Sequence, residues 1–274
     1  MRRNHVLVSC LALFVLMGGV LFYAGFASSE AESVEVPILL YHHILPDDKN
    51  TEHLENPFAV SAEDFATQMQ YLYDNGFHTL TLSELEAFLH EGQRLPQNSV
   101  MIHFDDGYYS NFVYAYPVLQ GLGQRAVVFM ITHVVEDLGD DQPQMDHKDL
   151  TWTAASSLVG VEDVFELASH THSLHALMPN TGETGLVHAT REEIVADVRR
   201  SFDFLTNHRA FAYPYGQFND RVMEALQEVG ITLAFTTEEE MVTRESDPLQ
   251  LGRFKVWRGM TLERFGEIIR GIDI

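Results

Sequence analysis

The sequence predicts an α/β domain built as a distorted or incomplete (β/α)7-type barrel, and three observations lead there. From residue 34 onward, short apolar runs alternate with amphipathic stretches, the pattern of strands alternating with helices. About seven such units follow one another with no internal repeat or low-complexity linker. Polar side chains capable of chemistry recur one or two residues after the apolar runs end, and in a parallel barrel those ends open onto one face.

The elements follow in order. "VPILLYHH" reads as a first strand. In "VSAEDFATQMQYLYDNG" Ser61 can cap a helix, Phe65, Met69 and Leu72 share one face, and Gly76 can stop it. "LSELEAFLHEG" repeats the device, with Ser83 and Glu86 spaced as a capping box and Gly92 as terminator. The strand "SVMIHF", a tyrosine-rich helix ending near Gly121, and the strand "AVVFMI" come next. A short helix near "TWTAASSLV", the strand "DVFELA", and a helix opened by Thr190 and Glu193 continue the alternation. "AFAYP", "NDRVMEALQEVG", "ITLAF" and a last strand and helix in "GRFKVWRGMTLERFGEII" complete it.

The 274 residues, 46% of them hydrophobic, can bury the core of one catalytic domain. A formal charge of -23 argues against nucleic acid, anionic lipid or an acidic polymer as partner, since each approach meets like charge. Residues 1–33 form a targeting segment: Arg2 and Arg3 precede an apolar run from Val6 to Ala27. That run is long enough to span a bilayer, and small residues behind it also suit cleavage, so both a membrane anchor and a signal peptide are compatible. Either places the domain, residues 34–274, outside the cytoplasm. Cys10, the single cysteine, lies inside the apolar run, so the domain needs no intrachain disulfide.

Four segments bring chemistry to strand ends: His42 and His43 after "ILLY", Asp105 and Asp106 after "VMIHF", His170 after "ELAS", and Pro214 and Tyr215 after "AFAY". In "HFDDG" one carboxylate can bind a cation while its neighbour accepts a proton from water, although Asp-Asp-Gly is also a good turn. "SHTHSLH" carries three histidines. On one helix His170 and His175 would stand roughly 140° apart, so they can cooperate only across a turn. His170 with His172 on a strand face, or His172 with His175 on a helix face, are the other candidate pairs. Two imidazoles and a carboxylate suit a divalent transition metal such as Zn²⁺, with positions left for water and substrate.

Together "HFDDG", "SHTHSLH" and "FAYPYG" resemble the three principal motifs of the polysaccharide deacetylases of carbohydrate esterase family 4, whose domain is the NodB homology domain. The opening "VPILLYHHI", "FAVSAEDFATQMQYLYDNGFHTLTLSEL" and "GYYSNFVYAYPVL" resemble more narrowly the poly-N-acetylglucosamine deacetylase branch. The resemblance spans nearly all of residues 36 to 257. It implies a metal-dependent hydrolase acting on an exported N-acetylated glycan, with Asp106, His170 and His175 holding Zn²⁺, Co²⁺ or Ni²⁺. It implies Asp105 as the base, His42 as the acid with His43 as its competitor, and the Tyr215 backbone N–H, in the turn with Tyr213 and Pro214, as the oxyanion donor. His172 then falls between the ligands as a structural or substrate-side residue.

Three positions depart from the wider family's pattern. His103 stands where threonine is usual, Ala212 replaces an arginine that orients the base, and "LAFTTEEE" has no aspartate-tryptophan counterpart. The partner of Asp105 is therefore missing or comes from elsewhere. A non-catalytic glycan-binding member of the same fold is the alternative function, and a non-heme iron oxygenase a third, since its metal triad has the same composition. Tyr108, Tyr109, Tyr114 and Tyr116 divide between sugar contact and core, and Trp152 and Trp257 are expected in the core. His53, His78, His90, His133, His147, His188 and His208 read as surface or capping residues.

Overall fold

The computed structural model describes residues 34–50, 53–138 and 160–272. The amino-terminal segment, the helix expected near "TWTAASSLV", Trp152 and His147 lie outside the described residues. Among the described residues no helix is long and apolar enough to cross a membrane.

The chain opens with β1 (Ile38–Tyr41), β2 (His43–Leu45), β3 (Ala59–Ser61) and α1 (Ala62–Asp74). It continues through β4 (His78–Thr79), α2 (Leu82–His90), β5 (Ser99–Phe104), α3 (Tyr116–Leu122), β6 (Ala126–Met130) and α4 (Thr132–Leu138). Then come β7 (Phe165–Ser169), α5 (Gly185–His188), α6 (Arg191–Ser201), β8 (Ala210–Ala212) and α7 (Asp220–Glu228). The last elements are β9 (Leu233–Phe235), β10 (Phe254–Lys255) and α8 (Leu262–Ile268). Eight of these ten strands form one parallel sheet in the order β10-β1-β5-β6-β7-β8-β9, with β4 beside the start of β5, while β2 and β3 pair apart from it. A parallel bridge from Phe235 to Leu251, just ahead of β10, links the two ends of the curled sheet. This is the expected distorted barrel.

Period-two alternation gives the sheet an inner and an outer face. Ile38, Met101, Val127, Phe129, Ala168, Ala212, Leu233 and Phe235, from β1 and β5 to β9, share one buried cluster. Strands so far apart in the sheet share a cluster only if the sheet wraps around it. The intervening Leu39, Ile102, Phe104, Val128 and Leu167 face outward against Phe65, Met69 and Leu72 of α1 and Phe265 of α8. Phe211 and Ala234 pack instead against α6 and α7 through Ile194, Val198, Val222 and Leu226. Truncating a fully buried Phe104 or Phe129 to alanine would cost about 3–5 kcal/mol.

Local signals decide most boundaries. Ser61 accepts the Asp64 N–H at 2.9 Å, and Thr190 forms a reciprocal capping box with Glu193, as expected. The capping box of α2 is Thr81 with Glu84, not Ser83 with Glu86. Both pairs have the same spacing, but Thr81 is the residue with extended backbone where the helix starts. The tyrosine-rich stretch opens as a π-helical turn, Asn111–Ala115, and stops at left-handed Gly123 rather than Gly121. The expected first strand is broken at His42: β1 joins the main sheet, whereas β2 pairs with β3. The break lifts His42 out of the ladder at the carboxyl end of β1.

Candidate active site

Asp105 emerges from β5 and is almost fully buried, at 3% exposure. Its two oxygens accept from the two terminal nitrogens of Arg253 at 2.7 and 2.8 Å, while Arg253 Nε donates to the Thr236 carbonyl at 2.8 Å. Arg253 has no solvent exposure. Burial pushes the Asp105 carboxyl up, but the Arg253 charge, with His170 and His42 adding to it, holds it below the usual carboxylate range. Arg253 therefore stands where the sequence left a partner unassigned opposite Ala212. A basic residue in the apolar run "LGRFKVW" was the available signal, because an arginine inside a buried strand needs an acid. His103, beside this pair, is wholly buried between the rings of Phe129 and Phe235. Burial foremost, with the Arg253 charge, keeps it neutral.

Asp106, His170 and His175 come together next to the pair. Asp106 Oδ1 lies 3.5 Å from His170 Nε2 and 3.3 Å from His175 Nε2. Ligands about 2.1 Å from a tetrahedral ion lie roughly 3.4 Å apart, so this donor set fits a divalent metal. His170 Nδ1 donates to the Ala212 carbonyl at 2.8 Å, which leaves Nε2 as the free lone pair facing Asp106. Burial, the largest effect, pushes His170 down to about 4. Burial raises Asp106, but its hydrogen bond to His175 and the nearby His42 and His170 outweigh that and keep it ionised.

The turns that aim these groups are strained. Four non-glycine described residues have positive φ, and three are in the site: Asp106 at 72°, Thr171 at 75° and Tyr215 at 55°. A β-branched residue rarely adopts that conformation. At Thr171 it turns the chain so that His170 and His175 meet, the arrangement one helix forbids. Gly107 follows Asp106 at φ 80°, and a Cβ there would lie 2.7 Å from the Met130 side chain.

Asp197 of α6 holds the histidine turn. It accepts from the backbone N–H groups of His172 and Ser173 at 2.7 Å each and from Ser173 Oγ at 2.9 Å. An acid on the buried face of α6, between Ile194 and Val198, was visible in the helical period yet points to no single target. His172 itself faces away: Nδ1 bonds Thr132 Oγ1 at 3.0 Å and Nε2 lies 3.2 Å from Glu136.

A cavity of about 310 Å³ opens over the cluster, lined among others by His42, His43, Phe58, Tyr108, Tyr215 and Lys255. His43 is 2% exposed beneath the Tyr108 ring and is lowered to about 3, chiefly by burial. His42 rests against Phe58, ring centroids 4.8 Å apart. Tyr215 reaches over His175, centroids 5.0 Å apart, and is 53% exposed. Tyr213 and Pro214 do not line the cavity: the Tyr213 hydroxyl donates to the Leu249 carbonyl in the core, so the two residues only shape the turn before Tyr215. Of the four tyrosines, Tyr108 is in the site, and Tyr114 and Tyr116 pack on the core. Trp257, expected in the core, is 39% exposed, because it lies past the end of β10. Asn56, Phe58, Thr237 and Lys255 line the cavity without any signal in the sequence pattern.

Comparison with known proteins identifies the family. The sequence profile of the family described as polysaccharide deacetylase matches residues 92–234. YxkH of Bacillus subtilis, a putative polysaccharide deacetylase, is 29% identical, covering 87% of this chain and 77% of its own. The poly-beta-1,6-N-acetyl-D-glucosamine N-deacetylase of Staphylococcus aureus is 30% identical, covering 73% of this chain and 68% of its own. The solved structure of IcaB from Ammonifex degensii has a TM-score of 0.70 at 25% identity, covering 87% of this chain and 97% of that one. With its motifs converging in one cavity of a distorted barrel, this chain belongs to the polysaccharide deacetylase family.

Proposed function

We propose that the protein is a metal-dependent N-deacetylase of an exported or cell-envelope glycan of the poly-N-acetylglucosamine type. The observation that carries the reading is one cavity holding both an ionised, arginine-paired Asp105 and the Asp106, His170, His175 donor set. The named activity of the Staphylococcus aureus relative supports the substrate. Residues 1–33 would carry the domain out of the cytoplasm, as a membrane anchor or a cleaved signal, and residues 34–274 would be the catalytic part.

Asp106, His170 and His175 would hold the ion, Zn²⁺ foremost, with Co²⁺ or Ni²⁺ able to replace it. Such an ion supplies Lewis acidity toward a carbonyl oxygen and acidifies water. Asp105 takes the proton of the water that attacks the acetamide carbon; each of its oxygens keeps a lone pair beyond the bond to Arg253. The Tyr215 backbone N–H donates to the developing oxyanion, an interaction worth about 2.7–4 kcal/mol. His42 gives a proton to the leaving nitrogen, and acetate and a free amine result. His43 is neutral and covered by Tyr108, so His42 is the better acid.

Acetate release from β-1,6-linked N-acetylglucosamine oligomers with Zn²⁺, Co²⁺ or Ni²⁺, without oxygen consumption, tests the reading. Tight oligomer binding with no acetate under any of these metals would leave a glycan-binding protein instead.

A further inference from the structure

We propose that Lys255 and Trp257 form a subsite for the sugar unit adjoining the one whose amide is cleaved. The last strand carries the argument. The Val256 N–H donates to the Leu40 carbonyl at 2.9 Å, so the ladder with β1 continues past β10. Phe254 and Val256 belong to the cluster beneath the helices. Strand alternation puts Arg253, Lys255 and Trp257 on the opposite side. Their accessibility rises along the strand: Arg253 is sealed against Asp105, Lys255 lines the cavity, and Trp257 reaches solvent. One strand face thus runs from the base, through the cavity wall, to the rim.

The rim has the make-up of a sugar platform. The Arg258 N–H donates to the Pro57 carbonyl at 2.8 Å and its guanidinium reaches the Ala59 carbonyl at 3.1 Å. These bonds tie the backbone next to Trp257 to the residues on either side of Phe58, which is 42% exposed and lines the cavity. Exposed aromatic side chains fixed beside a polar cavity offer flat apolar area at little entropic cost. Lys255 Nζ donates to the Thr237 carbonyl at 2.9 Å, and an ammonium has two further N–H groups. Among the described residues Lys255 forms no salt bridge, in a chain with 40 acidic and 17 basic residues. Its free donors face sugar oxygens. The cavity, about 310 Å³, is at the small end of ligand pockets, about 300–1,000 Å³, so a second sugar unit must lie across the rim. An ammonium there also favours an acetylated unit over one already converted to a cationic amine.

This subsite rests on the deacetylase reading, and the experiment separates the two. Wild type, Trp257→Ala, Trp257→Phe and Lys255→Met are assayed for acetate release from β-1,6-linked N-acetylglucosamine monomer to pentamer. In wild type kcat/KM rises with length. Trp257→Ala loses about five- to tenfold of that rise through KM, Trp257→Phe restores most of it, and Lys255→Met loses part. Length dependence in Trp257→Ala and Lys255→Met equal to wild type overturns the subsite and leaves the deacetylase intact. If wild type releases no acetate at any length, the deacetylase reading falls. Calorimetric titration of the pentamer then decides the subsite: weaker binding to the variants supports it, and equal binding overturns it.

Discussion

Arg253 and Asp105, 148 residues apart in the chain, meet as a bidentate pair, Arg253 sealed from solvent and Asp105 nearly buried at the cavity wall. Two buried charges are tolerated because each satisfies the other and Nε is satisfied by Thr236. The strand that closes the domain thereby orients the group at the heart of the site.

Replacing Arg253 by methionine leaves Asp105 buried and unpaired, at a cost of about 3–5 kcal/mol in urea unfolding. The folded-state carboxyl lies below its unfolded value. Its contribution is therefore complete above the unfolded pKa of about 3.9 and is lost as pH falls through the folded value. The stability gap between wild type and variant narrows on acidification from the raised pKa of the unpaired carboxyl in the variant down to the folded value of the wild type. Without Arg253, desolvation dominates and the acid limb of kcat/KM moves to higher pH. Arg253→Lys keeps the charge but loses the fork, and falls between the two.

His170→Ala and His175→Ala each remove one of three donors around Asp106. Both should lose bound metal, read by elemental analysis after dialysis, together with activity. His172→Ala should retain the metal, since its ring bonds Thr132 and Glu136 instead.

Asp197→Ala removes the acceptor that holds the His172 and Ser173 N–H groups. The strained turn at Thr171 then loosens, and metal affinity measured by competitive chelation should fall about 10- to 100-fold. Asp197→Asn, which keeps one acceptor oxygen, should fall less.

His42→Gln should lower kcat by about 10²- to 10⁴-fold, as should Asp105→Asn, if each moves a proton in the reaction. His43→Gln, beneath Tyr108 and neutral, should act mainly on stability. Equal losses of kcat in both histidine variants, at equal thermal stability, would remove His42 from its role as the acid.

The fold was largely legible because its causes are local. Ser61 and Thr190 cap helices through bonds three residues away, and alternation along β5 assigns Met101 and Ile102 to opposite faces. The site was legible where residues adjoin in sequence: Asp105 with Asp106, and the three histidines of "SHTHSLH". Periodicity ruled out a single helix for His170 and His175 but could not choose the pair. The family resemblance named it, and the three-dimensional structure brings the two rings together through a left-handed Thr171 braced by Asp197 from another helix. It also supplied Arg253 to Asp105 and brought Trp257 out of its expected place in the core to the surface. Those decisions depend on which strands become neighbours when the sheet curls. The sequence by itself determined the strands, the helices and the chemistry at their ends, because backbone propensity and side-chain period act over a few residues. Only the tertiary structure decided the partners, because a buried charge is satisfied by whichever group the closed sheet brings within hydrogen-bond reach.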